Sequence, residues 1–345
     1  MKKHSVPFLS LLSLLALTTF SCSETTTAVA QNNSTDTLPE KHIAEKKDPT
    51  SSVTAAFDTA DYNVKLKAMS NGDSSGKWPA KSPQPLPGAI FPFNRVVAFY
   101  GNLYSKNMGI LGELPKDQML AKLKAEVKEW QAADTSIPVI PALHYIAVTA
   151  QTNGGKQRLR MPFKQVDTIV AWAKPINALV FIDIQVGWST VQEEVPEFEK
   201  YFKMPNVHFG IDPEFSMKGG DIPGKKIGTY DAADVNFVID YLAKIVRANN
   251  LPPKVLIIHR FTQGMVTNVA NIKKVAEVQV VMDMDGWGDK ILKRSTYDRY
   301  IYKEPVQFTG FKLFYKNDTK KNKNGLYTPA ELLKLVPKPM YIQYQ

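Results

Sequence analysis

The stretch "VHFGIDPEFSM", residues 207–217, is an apolar run that ends abruptly in two carboxylates, Asp212 and Glu214, separated only by Pro213. In an extended strand successive side chains alternate faces. His208, Gly210, Asp212 and Glu214 therefore share one side, while Val207, Phe209 and Ile211 share the other. A strand built this way must turn its polar face into something.

The same design recurs along the chain. Beyond Phe91 strand-like and helix-like segments alternate eight times, with strands expected at 95–101, 138–146, 178–186, 207–215, 254–261, 278–285, 307–315 and 340–345. Helices are expected at 115–133, which opens on Pro115, and at 231–250, with Asp231 as N-cap and Asn249 and Asn250 at the end. Eight strand–helix units over about 255 residues fit an α/β fold of the (β/α)8 TIM-barrel type. A doubly wound open sheet is the alternative, but no glycine-rich phosphate turn follows the first strand. In a barrel, functional side chains belong at the C-terminal ends of the strands.

Alternation then selects the inward residues. The first strand offers Tyr100 and Asn102, the second His144, the third Asp183 and Gln185, the fourth Asp212 and Glu214, and the fifth His259. The sixth offers Asp283 and Asp285, the seventh Lys312, and the eighth Tyr341 and Gln343. Buried charge costs several kcal/mol per ion, and a barrel needing only stability can use Val and Ile, so five inward acids argue for function. Paired carboxylates with separated pKa values are the equipment for cleaving a glycosidic bond. Side chains on one strand point in parallel, so Glu214 is expected to act as acid against a carboxylate from another strand. Asp285 is the first choice of partner and Asp183 the second, with Asp212 orienting Glu214. Trp188 and Trp287, just past strand ends, are expected as platforms for sugar rings. The basic, glycine-rich loop 216–230 offers Lys218, Lys225 and Lys226 to an anionic substrate. No cofactor is expected. Metal chemistry, using Asp183, Asp212, His259, Asp283 and Asp285, is the competing enzymatic reading, but no His-x-His, His-Glu-x-x-His or cysteine-based ligand spacing is present and no metal is expected. Ser-His-Asp catalysis lacks its Gly-x-Ser-x-Gly turn.

The N-terminus, "MKKHSVPFLSLLSLLALTTFSCSE", places Lys2 and Lys3 ahead of an apolar segment from Val6 to Phe20, the order of a secretory signal. The only cysteine of the chain, Cys22, follows it, so no internal disulfide can form. This arrangement resembles bacterial lipoprotein signals, which implies a lipidated Cys22 and an extracytoplasmic, membrane-anchored protein of the cell envelope. "TFSC" departs from the usual Leu three places before the cysteine and from the small residue two places before it. Residues 1–21 carry two lysines and no acid, so their removal takes the net charge from +10 to +8. A basic surface favours acidic partners, while no nucleic-acid motif is present. Three parts are expected: a signal peptide (1–21), a lipidated cysteine with a low-complexity tether (22–88), in which "YNVKLKAM" (62–69) reads as a short strand, and a monomeric barrel (89–345).

The residues Asp212 to Glu214, Ile227 to Asn249, Leu251 to Phe261 and Pro337 to Gln345 resemble a family of secreted bacterial proteins and lipoproteins over most of 90–345. That family resembles the TIM-barrel glycoside hydrolases, and more loosely the Asp-x-Glu strand end resembles the acidic motif of barrel-fold lysozymes. Arg260 stands where such members carry Gln. The resemblance implies a glycosidase-like barrel without naming a substrate. The reading that follows is a glycoside hydrolase acting on a poly- or oligosaccharide, with a non-catalytic glycan-binding barrel or a metal-dependent hydrolase as alternatives.

Overall fold

The computed structural model of the chain describes residues 57–320 and 324–345. The segment expected as a signal peptide, Cys22 and the expected tether up to residue 56 lie outside the described residues. Eight parallel strands close on themselves: β1 (Arg95–Gly101), β2 (Val139–Ala150), β3 (Leu179–Ile184), β4 (Val207–Ile211), β5 (Lys254–Arg260), β6 (Val278–Met284), β7 (Phe308–Leu313) and β8 (Tyr341–Tyr344). Each pairs with the next, and β1 closes the ring by pairing with both β2 and β8. All eight expected strands are present, in the (β/α)8 barrel arrangement.

Alternation divides the strand residues into two cores. Val180, Ile182, Ile184, Phe209, Ile211, Leu256, Ile258, Val280 and Met282 face outward and bury themselves under the helices. The chief helices are α2 (Lys116–Ala133), α3 (Phe163–Ala173) and α4 (Ala232–Ala248). Helix α4 starts where the sequence placed it: the Asp231 carboxylate accepts from Ala233 N–H, and Asp234 returns the favour to the Asp231 N–H. Inside the barrel, the N-terminal half is mainly apolar, filled by Val96, Ala98, Ala142, Phe181, Val255, Ile257, Val281 and Phe308, with His208 and Gln279 among them. Among the described residues no helix is long and apolar enough to cross a membrane.

Two local expectations are corrected. Residues 62–69 are not a strand but part of α1 (Thr59–Ser70), capped by the Asp58 carboxylate. Tyr62, Leu66 and Met69, three and four residues apart, form its packed stripe, whereas Val64, which an alternating strand would bury, is 66% exposed. Within 71–88, also expected as tether, Trp78 is buried and donates from its indole N–H to the Tyr302 carbonyl. Second, β4 stops at Ile211 instead of running to residue 215. Pro213 has no N–H for a ladder, and residues Pro213–Phe215 form a 3-10 turn.

The segment 78–91 plugs the N-terminal end of the barrel. Phe91 packs on Phe308 at 5.2 Å, and the fully buried Gln279 grips the chain there. Its Oε1 accepts from the N–H groups of Ile90 (2.9 Å) and Phe91 (3.1 Å), and its Nε2 donates to the Phe91 carbonyl (2.6 Å). Gln279→Leu would strand three buried backbone groups, each costing about 1–3 kcal/mol unpaired. Denaturant unfolding of this variant is expected to show a loss of at least about 3 kcal/mol; an unchanged midpoint would deny the plug its role.

Candidate active site

A cavity of about 670 Å³ opens at the C-terminal ends of the strands. Tyr100, Gln185, Asp212, Glu214, Asp285, Lys312 and, at the mouth, Trp287 line it, all expected from sequence. Phe215, Phe261, Lys293, Phe314 and Asn317 line it too and were not foreseen. Lys293 sits on the helix α5 (Lys290–Thr296), Asn317 on a loop and Phe215 in the 3-10 turn, while Phe261 and Phe314 lie one residue past β5 and β7, on the faces of His259 and Lys312 by alternation. Lys293 is almost wholly buried and donates to the carbonyls of Gly286 and Lys312 and to Asp318, which ties the loop after β6 to β7. No sequence pattern marks it.

Glu214 reaches the cavity from the 3-10 turn. Asp212 caps that turn, its Oδ1 accepting from the Glu214 N–H at 3.1 Å, and its Oδ2 accepts from Gln185 Nε2 at 3.2 Å. Burial, then the neighbouring Asp285 carboxylate, pushes the Glu214 carboxyl up to about 7, against the opposing pull of Lys312 and His259. Asp212 is raised well above the ordinary carboxylate range, chiefly by burial. Across the cavity Lys312 Nζ lies 2.8 Å from Asp285 Oδ1 and 3.9 Å from the centre of the Tyr100 ring. Burial alone would raise Asp285, but Lys312 and His259 together outweigh it and hold Asp285 below the usual range. One carboxyl that holds a proton near neutrality thus shares the cavity with one that stays ionised.

The remaining inward residues lie deeper. His144, Asp183, His259 and Asp283 are fully buried beneath the cavity lining. His259 Nε2 lies 3.1 Å and His144 Nε2 lies 3.4 Å from the same atom, Asp183 Oδ2. The far nitrogen of His259 meets Asp285 at 3.2 Å and Asp283 at 3.4 Å. That of His144 meets the Tyr341 hydroxyl at 2.5 Å and the Gln343 amide at 3.0 Å. Among the described residues, His144, Asp183 and His259 are the group able to hold a metal ion. Burial pushes His144 down to about 4, while three carboxylates overcome burial at His259 and raise it.

Other residues proposed from the sequence have different roles. Asn102 is a loop clamp: its amide donates to the Ile146 carbonyl, and its oxygen accepts from the N–H groups of Tyr104 and Ser105. Trp188 lies outside the cavity lining, with its indole N–H donating to the Asp221 carbonyl. Lys218 pairs with Asp234 and Lys226 with Asp221, so neither faces the cavity. Arg260 points outward, buried against Glu304 (2.6 Å) and the carbonyls of Thr262, Gln263, Val266 and Tyr300.

No family model matches this sequence, and no curated protein matches it. Among solved structures it is similar to Burkholderia cenocepacia dihydropteroate synthase complexed with 7,8-dihydropteroate. The identity is 10% and the TM-score 0.35, over 76% of this chain and 91% of that one. The expectation of a glycoside hydrolase is corrected by the geometry of the site. Asp183 is sealed below the floor, out of reach of a substrate, and Asp285 is tied up between Lys312 and His259.

Removing one member of a buried ion pair strands the other, at about 3–5 kcal/mol. Lys312→Met is expected to cost about that much in denaturant unfolding, and Lys312→Met with Asp285→Asn to recover much of it. Additive losses in this double-mutant cycle would show the two residues to be uncoupled.

Proposed function

We propose that the barrel is an acid–base enzyme in which Glu214 exchanges its proton with a small organic substrate polarised by Lys312. The observation that carries this reading is the Glu214 carboxyl near 7, in a cavity whose other wall presents the Lys312–Asp285 pair. A general acid or base works best with a pKa near the operating pH. An ammonium anchored by Asp285 is a fixed positive charge, suited to a carbonyl or carboxylate oxygen on which negative charge develops. Phe215, Phe261, Trp287 and Phe314 add flat apolar walls, and about 670 Å³ fits a substrate of one or two rings. The reaction class is proton transfer next to a polarised carbonyl, with Asp212 setting the turn that aims Glu214.

Ligand-observed NMR against a panel of ring-bearing carbonyl and carboxylate compounds, followed by product analysis, tests the assignment. Glu214→Gln is expected to keep binding and lose turnover by at least a hundredfold; turnover that survives would remove Glu214 from the chemistry.

The proton on Glu214 has a thermodynamic signature. Its folded value, near 7, exceeds the ordinary 4.5, so the stabilisation of the protonated group is complete below about pH 4.5 and is lost as pH rises through 7. The charged groups that act on it are Asp212, Asp285, Lys312 and His259. Wild type relative to Glu214→Gln is expected to lose up to roughly 3 kcal/mol across that window. A pH-independent difference between the two proteins would show that Glu214 titrates normally.

We also propose that the protein is held at a membrane of the bacterial envelope, on its extracytoplasmic side, by lipid on Cys22. Lys2, Lys3, the apolar run 6–20 and the placement of the chain's one cysteine support this. Each buried methylene of an acyl chain contributes roughly 0.8 kcal/mol to anchoring. Labelling cells with a fatty-acid probe is expected to mark the wild type and not Cys22→Ala; equal labelling of both would dismiss the anchor.

A further inference from the structure

Of the two imidazoles that meet at Asp183, that of His259 lies at the long end of hydrogen-bond range, and that of His144 is not at hydrogen-bond geometry. Hydrogen bonds between a cationic nitrogen and a carboxylate run about 2.7–2.9 Å. Here His259 Nε2 stands at 3.1 Å and His144 Nε2 at 3.4 Å from the one oxygen, Asp183 Oδ2. His144 Nε2 is buried with no partner at hydrogen-bond geometry. Those two separations match edges of a coordination polyhedron, and the three donor atoms all lie within 4.8 Å of one another. Donor atoms each about 2.1 Å from an ion are roughly 3.0 Å apart at octahedral and 3.4 Å apart at tetrahedral angles.

The outer nitrogens tell the same story. Metal-bound histidines hold their second nitrogen against a carboxylate or another polar group, which fixes the ring and its tautomer. His259 Nδ1 faces Asp285 and Asp283, and His144 Nδ1 faces Tyr341 and Gln343. Space is kept open beside the inner atoms. Strand pairing sets Gly210 opposite Asp183, and a Cβ at Gly210 would stand 2.6 Å from His144 Nε2 and 3.0 Å from Asp183 Oδ1. Any side chain there would press on two of the three donor residues.

We infer that His144, Asp183 and His259 form a binding site for one divalent transition-metal ion, placed beneath the floor of the acid–base cavity. Two imidazoles and a carboxylate suit zinc, iron(II) or cobalt(II) and not magnesium or calcium, which prefer oxygen ligands. Spacing along the sequence could not show this set, because its members come from three different strands, β2, β3 and β5, and only barrel closure brings them together. Glu214 is not one of its ligands, although His259 links the site to Asp285 in the cavity above.

The test is metal binding by the purified full chain, stripped with a chelator and checked by circular dichroism to be folded. Cobalt(II) titration is expected to give d–d absorption bands that saturate at one ion per chain and disappear on adding zinc(II), and zinc(II) is expected to raise the thermal midpoint. Asp183→Asn and His144→Gln should weaken binding at least a hundredfold, Tyr341→Phe about 10–100-fold as an outer partner, and Glu214→Gln not at all. Should the ligand variants fail to fold, the wild-type titration decides alone. Folded wild type without cobalt bands overturns the site, as does binding of equal strength in folded Asp183→Asn. Metal binding with an inactive cavity would count against the Glu214 reading and leave the metal site intact.

Discussion

Lys312 and Asp285 pair at 2.8 Å across the floor of the cavity, and the ionised Asp285 is the charge that raises Glu214 beyond what burial does. Placing two charges below the rim of a barrel costs several kcal/mol each in lost hydration, and their attraction offsets that only with further support. Tyr100 gives Lys312 a ring face at 3.9 Å, and His259 Nδ1 lies 3.2 Å from Asp285 Oδ2. With Asp285 kept ionised, Glu214 faces a fixed negative charge in an enclosed cavity and retains its proton to higher pH. The pair separates the two carboxyl groups in function although both are acids on one wall-lined space.

That separation depends on a dry interior. The lower half of the barrel is mainly apolar and is stoppered by Phe91 and Ile90, which Gln279 holds in place. Without such a seal the charged layer would be hydrated from below, and burial, the first cause of the shifts at Glu214, Asp212 and His144, would fade. The layer also needs room. Gly210 and Gly310 stand opposite Asp183 and Asp283 on neighbouring strands, and a Cβ at Gly310 would come within 2.4 Å of Asp283 Oδ1. Small residues on two strands are the steric condition for acids on the next ones.

The barrel was legible because it is written in a period that depends on nothing distant. All eight strands carry apolar residues on alternate positions, and the inward set from Tyr100 to Gln343 follows from counting in twos. Depth was not legible. Asp183 and Asp285 read alike as inward acids near a strand end, yet one is sealed and the other lines the cavity, because depth depends on strand tilt and on the loops above. Asn102 and Trp188, past the ends of β1 and β3, turn to backbone carbonyls of neighbouring segments instead of the cavity, and nothing in the strand period states that direction. Helix α1 was misread because Tyr62, Val64, Leu66 and Ala68 alternate by chance, and only packing shows that the spacing of Tyr62, Leu66 and Met69 is the one used.

The inward acids outnumber the cations that face them, and the surplus is resolved at two depths. In the upper layer, Glu214 and Asp212 are held toward the protonated form, so protons neutralise what Lys312 does not. In the lower layer, Asp183 must stay ionised to hold both imidazoles, and an ion among the three would supply the missing positive charge there. Asp285 belongs to both layers, with Oδ1 on Lys312 and Oδ2 on His259 Nδ1. An ion on His259 Nε2 would keep the proton of that ring on Nδ1, facing Asp285, so the lower layer would help fix the charge that Glu214 senses. The two layers are then one electrostatic system, in which buried ligands that never touch a substrate set the proton affinity of the residue that does.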